Sequence, residues 1–356
     1  MSVYVIAEAG VNHNGSLSTA IDMVDVAAAS GADAVKFQTF RAKAMIQKSA
    51  PKAEYQVAAT GSSQSQRDMI AALELSADAH VAIAQHCASR GIRFLSTPFD
   101  HESLELLTRS LGMSTIKIPS GEVTNLPFIL DIGRRAKDVI LSTGMCTMDE
   151  IETALKVLSF AFDPSTSARL PSRAELATPL TDVERSLLTG RVTVLQCTTE
   201  YPAPIDEANL LAMSSIRDAF GVAVGYSDHT LGSTAAITAV ALGATMIEKH
   251  FTLDKNQVGP DHRASLEPDE LRSYVQAIRD VARSLGDGVK KPSTSERKNI
   301  AIARKSMVAA RRITKGETFS AENLTFKRPG TGRQPAEFFE LLGTPASRDY
   351  EEDEQI

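Results

Sequence analysis

The chain has 356 residues, of which 43% are hydrophobic, so it can bury one full core and still form a small second domain. Its formal charge of −6 and pI near 5.7 exclude a basic surface for nucleic acid, and no apolar run approaches the roughly 18 residues that a membrane span requires. The amino terminus enters a strand pattern at once, without the features of an export signal, so we expect a cytoplasmic protein. The cysteines Cys87, Cys146 and Cys197 have no C-x-x-C spacing, which argues against a disulfide framework or a thiolate metal site.

Short β-branched runs alternate with longer helical patterns along most of the chain. Helical segments such as 76–90 and 268–285 separate the runs. The predicted strands cover residues 4–9, 34–39, 93–97, 115–119, 139–143, 192–197, 222–225 and 245–249. Eight such units predict a TIM (β/α)8 barrel. A doubly wound open sheet also alternates strands and helices, but the turn after the first strand, residues 9–15, lacks G-x-G-x-x-G.

Two segments interrupt this alternation of strands and helices, and both are longer than the ordinary connections between such elements. Residues 42–75 follow the second strand, at the end of a barrel where active sites are built, so we expect a lid there. Residues 160–190 precede the sixth strand and should lie at the opposite end. We predict a barrel domain over 1–285, a turn-rich linker over 286–298 and a small domain of short strands over 299–356.

Polar residues recur where the predicted strands end, which is where barrel enzymes carry their catalytic groups. Lys36 and Lys117 each lie between apolar neighbours, so they must point into a polar lumen or pair with an acid. Lysines and serines that meet at one mouth suit a phosphate group, and carboxylates there suit proton transfer or metal orientation. The strand-end residues are Glu8, Lys36, Gln38, Lys117, Ser120, Glu122, Ser142, Ser227, His229, Glu248, Lys249 and His250.

Two histidines follow apolar runs on consecutive predicted strands. His229 comes after the seventh run and His250 after the eighth. Because neighbouring strands end at the same edge, this pattern indicates a divalent metal site at the barrel mouth. The alternative is that each histidine is a hydrogen-bonded structural residue. Cys197 has no activating histidine or aspartate nearby in sequence, so we do not expect it to be a nucleophile.

Eight motifs occur in order along the chain: AEAGVNHNG at 7–15, KFQT at 36–39, IKIPSGE at 116–122, LSTGM at 141–145, TEYP at 199–202, GYSDHT at 225–230, EKHFTLD at 248–254 and GPDH at 259–262. Together they resemble the sialic acid (N-acetylneuraminate) synthase family, including its legionaminic acid synthase branch. That family condenses phosphoenolpyruvate with an N-acetylmannosamine-like sugar. The segment from 306 to 332 resembles the antifreeze-like (SAF, β-clip) domain that follows the barrel in that family.

The resemblance implies roles for individual residues. His229 and His250 match metal ligands, with Mn²⁺ as the usual ion and Mg²⁺ or Co²⁺ as alternatives. Glu122 and Glu8 match carboxylates near the reacting centre, and we expect both to be catalytic. Our own hypothesis for the mechanism makes Glu122 the base that deprotonates the attacking water. Arg328 matches an arginine that reaches from the tail domain of one subunit into the barrel of another, which implies a domain-swapped homodimer. The remaining substrate-binding candidates are Lys36, Lys117, Ser120, Ser142 and Ser227 for phosphoenolpyruvate, Tyr201 and Asp261 for the acceptor sugar, and Gln38 and Thr199.

The acceptor sugar stays open at this point. Thr199 stands where many sialic acid synthases carry asparagine, and residues 197–202 resemble the legionaminic acid branch more closely. N-acetylmannosamine, its 6-phosphate and a 2,4-diacetamido sugar are the alternatives. A metal-dependent aldolase, another sugar-phosphate enzyme or a non-catalytic binder on the same barrel would also fit a polar barrel mouth.

Overall fold

The computed structural model describes residues 3–52, 56, 57 and 65–356. The chain forms two units, Met1–Gly286 and Asp287–Ile356. The change of unit falls at the start of the predicted linker 286–298, whose last part is helical because a helix begins at Thr294. Within the described residues, no helix has the length and apolar character needed to cross a membrane.

The first unit is built on eight parallel strands, in the order β3-β2-β1-β8-β7-β6-β5-β4. β3 and β4 pack against each other at the seam without a hydrogen-bonded ladder, so the barrel is nearly closed. The predicted TIM barrel is confirmed. The strands are β1 Tyr4–Gly10, β2 Ala34–Thr39, β3 Arg93–Pro98, β4 Thr115–Ile118, β5 Asp138–Ser142, β6 Val192–Cys197, β7 Ala223–Asp228 and β8 Met246–His250.

The strands form where the chain is apolar on both faces, as parallel strands between a lumen and a helical layer require. Inside the barrel, buried apolar side chains such as Ile6, Leu95 and Ile140 fill the lower part of the lumen. Side chains two residues apart share a face of a strand, so Glu8 lies one layer above Ile6. These apolar side chains form the floor of the lumen. The polar side chains therefore lie above them, at the carboxyl ends of the strands.

Helices cover the outside of the barrel, and local sequence sets their ends. Thr147 and Glu150 form a reciprocal capping box at the start of α7, and α4 ends at Gly91, which adopts a left-handed conformation with φ 69°. The helices are α1 Leu17–Ala29, α2 Ala42–Met45, α3 Gln66–Ala71, α4 Ala77–Arg90, α5 His101–Glu105, α6 Leu126–Arg135, α7 Met148–Phe162, α8 Arg173–Leu176, α9 Asp182–Leu188, α10 Ala212–Phe220, α11 Thr234–Ala241 and α12 Pro268–Ser284.

The two long interruptions differ in structure. The lid predicted over 42–75 contains α2 and α3, while its residues 53–55 and 58–64 lie outside the described part of the chain. The segment 160–190 contains α8 and α9 and leads into β6. It is tied to α7 by the buried Lys156, whose ammonium group lies 3.1 Å from the Glu184 carboxylate.

The second unit has a small core of its own. The strands β9, Ser306–Ala309, and β10, Leu324–Lys327, pair antiparallel, and two helices, α13 Thr294–Ala303 and α14 Phe338–Leu341, belong to the same unit. The buried apolar side chains are Met307, Ala309, Ile313, Phe319, Leu324, Ala346 and Tyr350.

Candidate active site

A cavity of about 290 Å³ lies at the carboxyl ends of the barrel strands. It brings together all of the predicted site residues except Glu122 and Arg328. Residues of the predicted lid, among them Ile46 and Ile70, also line it. The predicted residues in its wall are Glu8, Lys36, Gln38, Lys117, Ser120, Ser142, Thr199, Tyr201, Ser227, His229, His250 and Asp261.

Glu248 is the centre of a buried charge network at the base of the cavity. Its carboxylate accepts hydrogen bonds from Lys117 Nζ at 2.6 and 2.8 Å and from Ser227 Oγ at 2.8 Å. Lys36 Nζ lies 3.7 Å from the same carboxylate and 2.7 Å from Glu8 Oε2. Both lysines therefore point into the lumen and also pair with acids, so the two expectations from sequence hold together.

The two carboxylates of this network differ in proton affinity. Burial raises the pKa of Glu8 to about 7, against the opposing effect of Lys36. Burial also acts to raise the pKa of Glu248, but Lys117 and Lys36 outweigh it and hold that pKa well below its usual range. Glu248 is thus ionised at neutral pH, whereas Glu8 can gain or lose a proton there.

Hydroxyl and amide groups line the same cavity as the lysines. Ser120 Oγ accepts a hydrogen bond from the Gly144 amide at 2.8 Å. The hydroxyls of Ser142 and Thr199 are buried and make no hydrogen bond with the described residues. Buried polar groups are normally hydrogen-bonded, so these two hydroxyls are available to a bound polar ligand.

The two histidines lie side by side in the cavity wall, with ring centroids 5.7 Å apart. His229 Nδ1 lies 2.6 Å from the Thr198 carbonyl. Because a carbonyl only accepts, Nδ1 carries the proton and Nε2 presents its lone pair. His250 Nδ1 is buried without a hydrogen-bond partner among the described residues. The Tyr201 ring lies against His229, tilted by 35°, with 4.2 Å between centroids.

The electrostatics of the two rings suit metal binding. Burial lowers the pKa of His229 to about 4 and the pKa of His250 well below its usual value, so both imidazoles are neutral at pH 7, the form that binds metals. Within the described residues, no group of three histidines, cysteines or acids is arranged to hold an ion. Two neutral imidazoles with ring centroids 5.7 Å apart would fit an ion that takes two protein nitrogens and fills its other positions with water or substrate oxygens.

Asp261 is a third group beside the histidines. Its carboxylate lies 3.9 Å from His250 Nδ1, and burial raises its pKa to about 6. It accepts no side-chain hydrogen bond within the described part of the chain. Such a carboxylate is free to accept hydrogen bonds from a hydroxylated ligand in the cavity.

Two predicted residues lie elsewhere. Glu122 ends a short 3-10 turn, Ser120–Glu122, and its carboxylate accepts a hydrogen bond from Asn125 Nδ2 at 2.6 Å. It does not line the cavity. Arg328 belongs to the second unit, where it is exposed.

Glu248 is a residue of the cavity wall for which sequence reasoning gave no individual role. It was placed among the polar strand ends without a partner. The sequence did indicate that such an acid exists, because two lysines embedded in apolar runs require buried carboxylates as partners. Glu248 also lies two residues before His250, on the same face of the strand.

Models of known families match almost the whole chain. The NeuB family matches residues 23–290, and the SAF domain matches residues 304–356. The chain belongs to the NeuB family. The family resemblance and the antifreeze-like second domain predicted from the motifs are confirmed, and this NeuB-family chain is an enzyme of the transferase class.

Relatives of this NeuB-family enzyme match 84 to 99% of the chain. It is 50% identical over 352 residues to an N,N'-diacetyllegionaminic acid synthase of Campylobacter jejuni, which covers 99% of this chain and 98% of the relative. An N,N'-diacetyllegionaminic acid synthase of Legionella pneumophila is 42% identical, over 98% of this chain and 91% of the relative. The crystal structure of the N-acetylneuraminic acid (sialic acid) synthetase of Leptospira borgpetersenii is similar at a TM-score of 0.66 and 29% identity, over 84% of this chain and 90% of that one.

Proposed function

We propose that this NeuB-family enzyme condenses phosphoenolpyruvate with an acylated, mannosamine-like aminosugar and releases phosphate. The observation that carries the proposal is one cavity in which two buried lysines lie beside two neutral histidines. In the reaction, C3 of phosphoenolpyruvate attacks the aldehyde carbon of the open-chain sugar and a C–C bond forms. Water then adds at C2, and the C–O bond to phosphate breaks. The product is a nonulosonic acid.

The anionic substrate is held by the lysine side of the cavity. Lys36 and Lys117 are already charged partners of Glu8 and Glu248, so they reach a phosphate or carboxylate without side-chain reorganisation. The unpartnered hydroxyl of Ser142 adds a neutral donor. The apolar floor closes the lumen below this layer.

The histidine side of the cavity would hold a divalent ion, for which we propose Mn²⁺, with Mg²⁺ and Co²⁺ as alternatives. His229 Nε2 and the unpartnered His250 Nδ1 are the donor atoms. When bound, such an ion supplies Lewis-acid polarisation to a carbonyl oxygen. Tyr201 and Asp261 line the same side, and we propose that they contact the acceptor sugar.

The preferred acceptor is proposed to be a 2,4-diacetamido sugar. Two relatives that match this chain from end to end carry the name N,N'-diacetyllegionaminic acid synthase. The cavity also presents the buried, unpartnered hydroxyl of Thr199. A second acetamido group, which both donates and accepts, would satisfy that hydroxyl.

Two carboxylates compete for the role of proton-transfer group, and substitution separates them. Glu8 lies in the cavity with a pKa near the working range of an enzyme, whereas the expectation from the sequence gave water activation to Glu122. We expect Glu8→Gln to lower kcat at least about 100-fold and to remove the ionisation near pH 7 from the profile of kcat/KM. The measurement is steady-state kinetics from pH 5.5 to 9, with Glu122→Gln in parallel. If Glu8→Gln left both kcat and the pH profile of kcat/KM unchanged, the proton-transfer role would belong to Glu122.

The reaction itself is tested by phosphate release. We expect release only when phosphoenolpyruvate and an acylated aminosugar are both present, fastest with the 2,4-diacetamido sugar among the three acceptors named above. Treatment with a chelator should abolish release, and added Mn²⁺ should restore it. Full activity after chelation would contradict the metal assignment. A carbonyl product formed without phosphate release, and inactivation by borohydride with substrate, would indicate a Schiff-base aldolase instead.

A further inference from the structure

A second buried charge cluster lies directly behind the two histidines, on the outer face of the barrel wall. Asp228 and Lys249 are 0% and 1% exposed, and Lys249 Nζ lies 3.3 Å from Asp228 Oδ2. The hydroxyl of Tyr274 on α12 donates to the same oxygen at 2.8 Å. We call Asp228, Lys249, Tyr274 and Thr230 the outer cluster.

The outer cluster does not touch the cavity. Successive side chains of a strand point to opposite faces, so Ser227 and His229 face the lumen while Asp228 faces the helical layer. The same alternation places Lys249 outward between Glu248 and His250. None of the four residues of the outer cluster is in the cavity wall.

Asp228 and Lys249 bind the backbone next to His229, and Tyr274 acts on it through Asp228. Asp228 Oδ1 accepts hydrogen bonds from the Thr230 amide at 2.9 Å and the Thr230 hydroxyl at 2.7 Å, so it closes a turn around His229. Lys249 Nζ donates to the Thr230 carbonyl on the far side of the same turn. Asp228 and Lys249 are also register partners of β7 and β8, one residue before His229 and His250 respectively.

The energetics argue that the outer cluster is not present for stability alone. The layer between a barrel and its helices is normally apolar, and desolvating an ion pair there offsets most of its Coulomb attraction. An apolar set of similar volume would pack as well, but it would leave the turn at 228–230 without its hydrogen bonds. The Asp228–Lys249 ion pair instead fixes the distance between the ends of β7 and β8.

We infer that Asp228, Lys249 and Tyr274 are positioning residues that hold His229 and His250 at the separation a shared divalent ion requires. The inference deepens the proposed function and rests on its metal site. Partners outside the ligand shell commonly set ligand geometry, and their loss typically lowers metal affinity 10- to 100-fold. The outer cluster acts on the backbone that carries both ligands.

The test is Mn²⁺ affinity, measured by titration calorimetry and by the Mn²⁺ electron paramagnetic resonance signal, on the whole chain. We expect Lys249→Met and Asp228→Asn to weaken Mn²⁺ binding at least about tenfold, and Tyr274→Phe about threefold. Excess Mn²⁺ should recover much of kcat in these variants, since both ligands are still present. It should not recover kcat in His229→Ala.

Lys156→Met is the matched control. Lys156 is equally buried, lies 3.1 Å from a carboxylate and donates to the Pro179 carbonyl at 3.2 Å, but it belongs to α7. We expect this variant to lose stability in urea and to bind Mn²⁺ within twofold of the unmodified protein. A loss of affinity as large as that of Lys249→Met would show that the effect is general destabilisation, and would overturn the inference.

The remaining outcomes separate the inference from the proposed function. Folded Lys249→Met with unchanged Mn²⁺ affinity overturns the positioning role alone. If Lys249→Met does not fold, Tyr274→Phe serves as the test. Unchanged Mn²⁺ affinity in Tyr274→Phe would likewise overturn the positioning role. Unmodified protein that binds no Mn²⁺, or His229→Ala that binds it equally well, would instead overturn the metal site itself.

Discussion

Glu248→Gln is expected to lower the free energy of unfolding at pH 7 by about 3 to 5 kcal/mol, the usual cost of removing one partner from a buried ion pair. The carboxylate holds Lys117 at 2.6 Å and lies 3.7 Å from Lys36. Its removal leaves two buried ammonium groups with Glu8 as their remaining buried acid. Equilibrium unfolding in urea, in buffer without phosphate, measures the loss.

Glu8→Gln is the matched control, because it removes the other carboxylate of the same network. Burial raises the pKa of Glu8 to about 7, so the group is partly protonated at pH 7 and glutamine resembles its neutral form. We expect this variant to lose much less stability than Glu248→Gln. Equal losses from the two variants would contradict the assignment of charge within the network.

The pH dependence of the two variants should differ in sign. A raised folded pKa means that the contribution of Glu8 to stability is complete below its unfolded pKa and is lost as pH rises through about 7. Glu8→Gln should therefore become more stable, relative to the unmodified protein, between pH 5 and 8. The pKa of Glu248 is lowered, so its contribution persists over that range and fades only as pH falls below the unfolded pKa.

An anion provides a second readout on the same pair of lysines. In Glu248→Gln, phosphate or phosphoenolpyruvate should bind next to ammonium groups that have lost a partner. We expect either anion to raise the unfolding midpoint of this variant more than that of the unmodified protein. An equal shift in both would place the anion away from Lys36 and Lys117.

The sequence predicted the barrel well because its strands are apolar on both faces, a pattern that depends on local composition alone. It misjudged where β7 ends. The predicted strand stops at residue 225, but β7 continues to Asp228. Ser227 and Asp228 look like loop residues until Glu248 and Lys249 are seen opposite them, and those partners belong to another strand.

The candidate site, too, could be predicted from the sequence only in part. The positions of Lys36 and Lys117 followed from charged residues inside apolar runs, but their carboxylate partners did not. Pairing across a barrel depends on which strand ends meet, and that is a property of the closed sheet. For Glu122 the sequence motif predicted a position in the site. In the structure its carboxylate accepts a hydrogen bond from Asn125 and does not line the cavity.

Arg328 gives the other large expected effect, because we propose that it completes the site of a second subunit. It is exposed and makes no hydrogen bond or ion pair with the described residues. Exposed apolar side chains also surround the barrel mouth, at 71, 68, 65 and 77% exposure for Met145, Leu211, Leu231 and Val258. Such a surface suits a second copy of the chain, and we propose a domain-swapped homodimer. Light scattering should give the mass of two chains.

Mixed dimers test whether the arginine acts across subunits. Arg328→Ala should lower kcat/KM about 100-fold through loss of substrate positioning, and His229→Ala should be inactive. When the two variants are co-expressed in equal amounts, half of the dimers are mixed and each mixed dimer has one intact site, so activity should recover to about a quarter of the unmodified level. His229→Ala with His250→Ala, both barrel variants, should not recover. Activity that stays at the mean of the two parents would show that Arg328 serves its own barrel or no site at all.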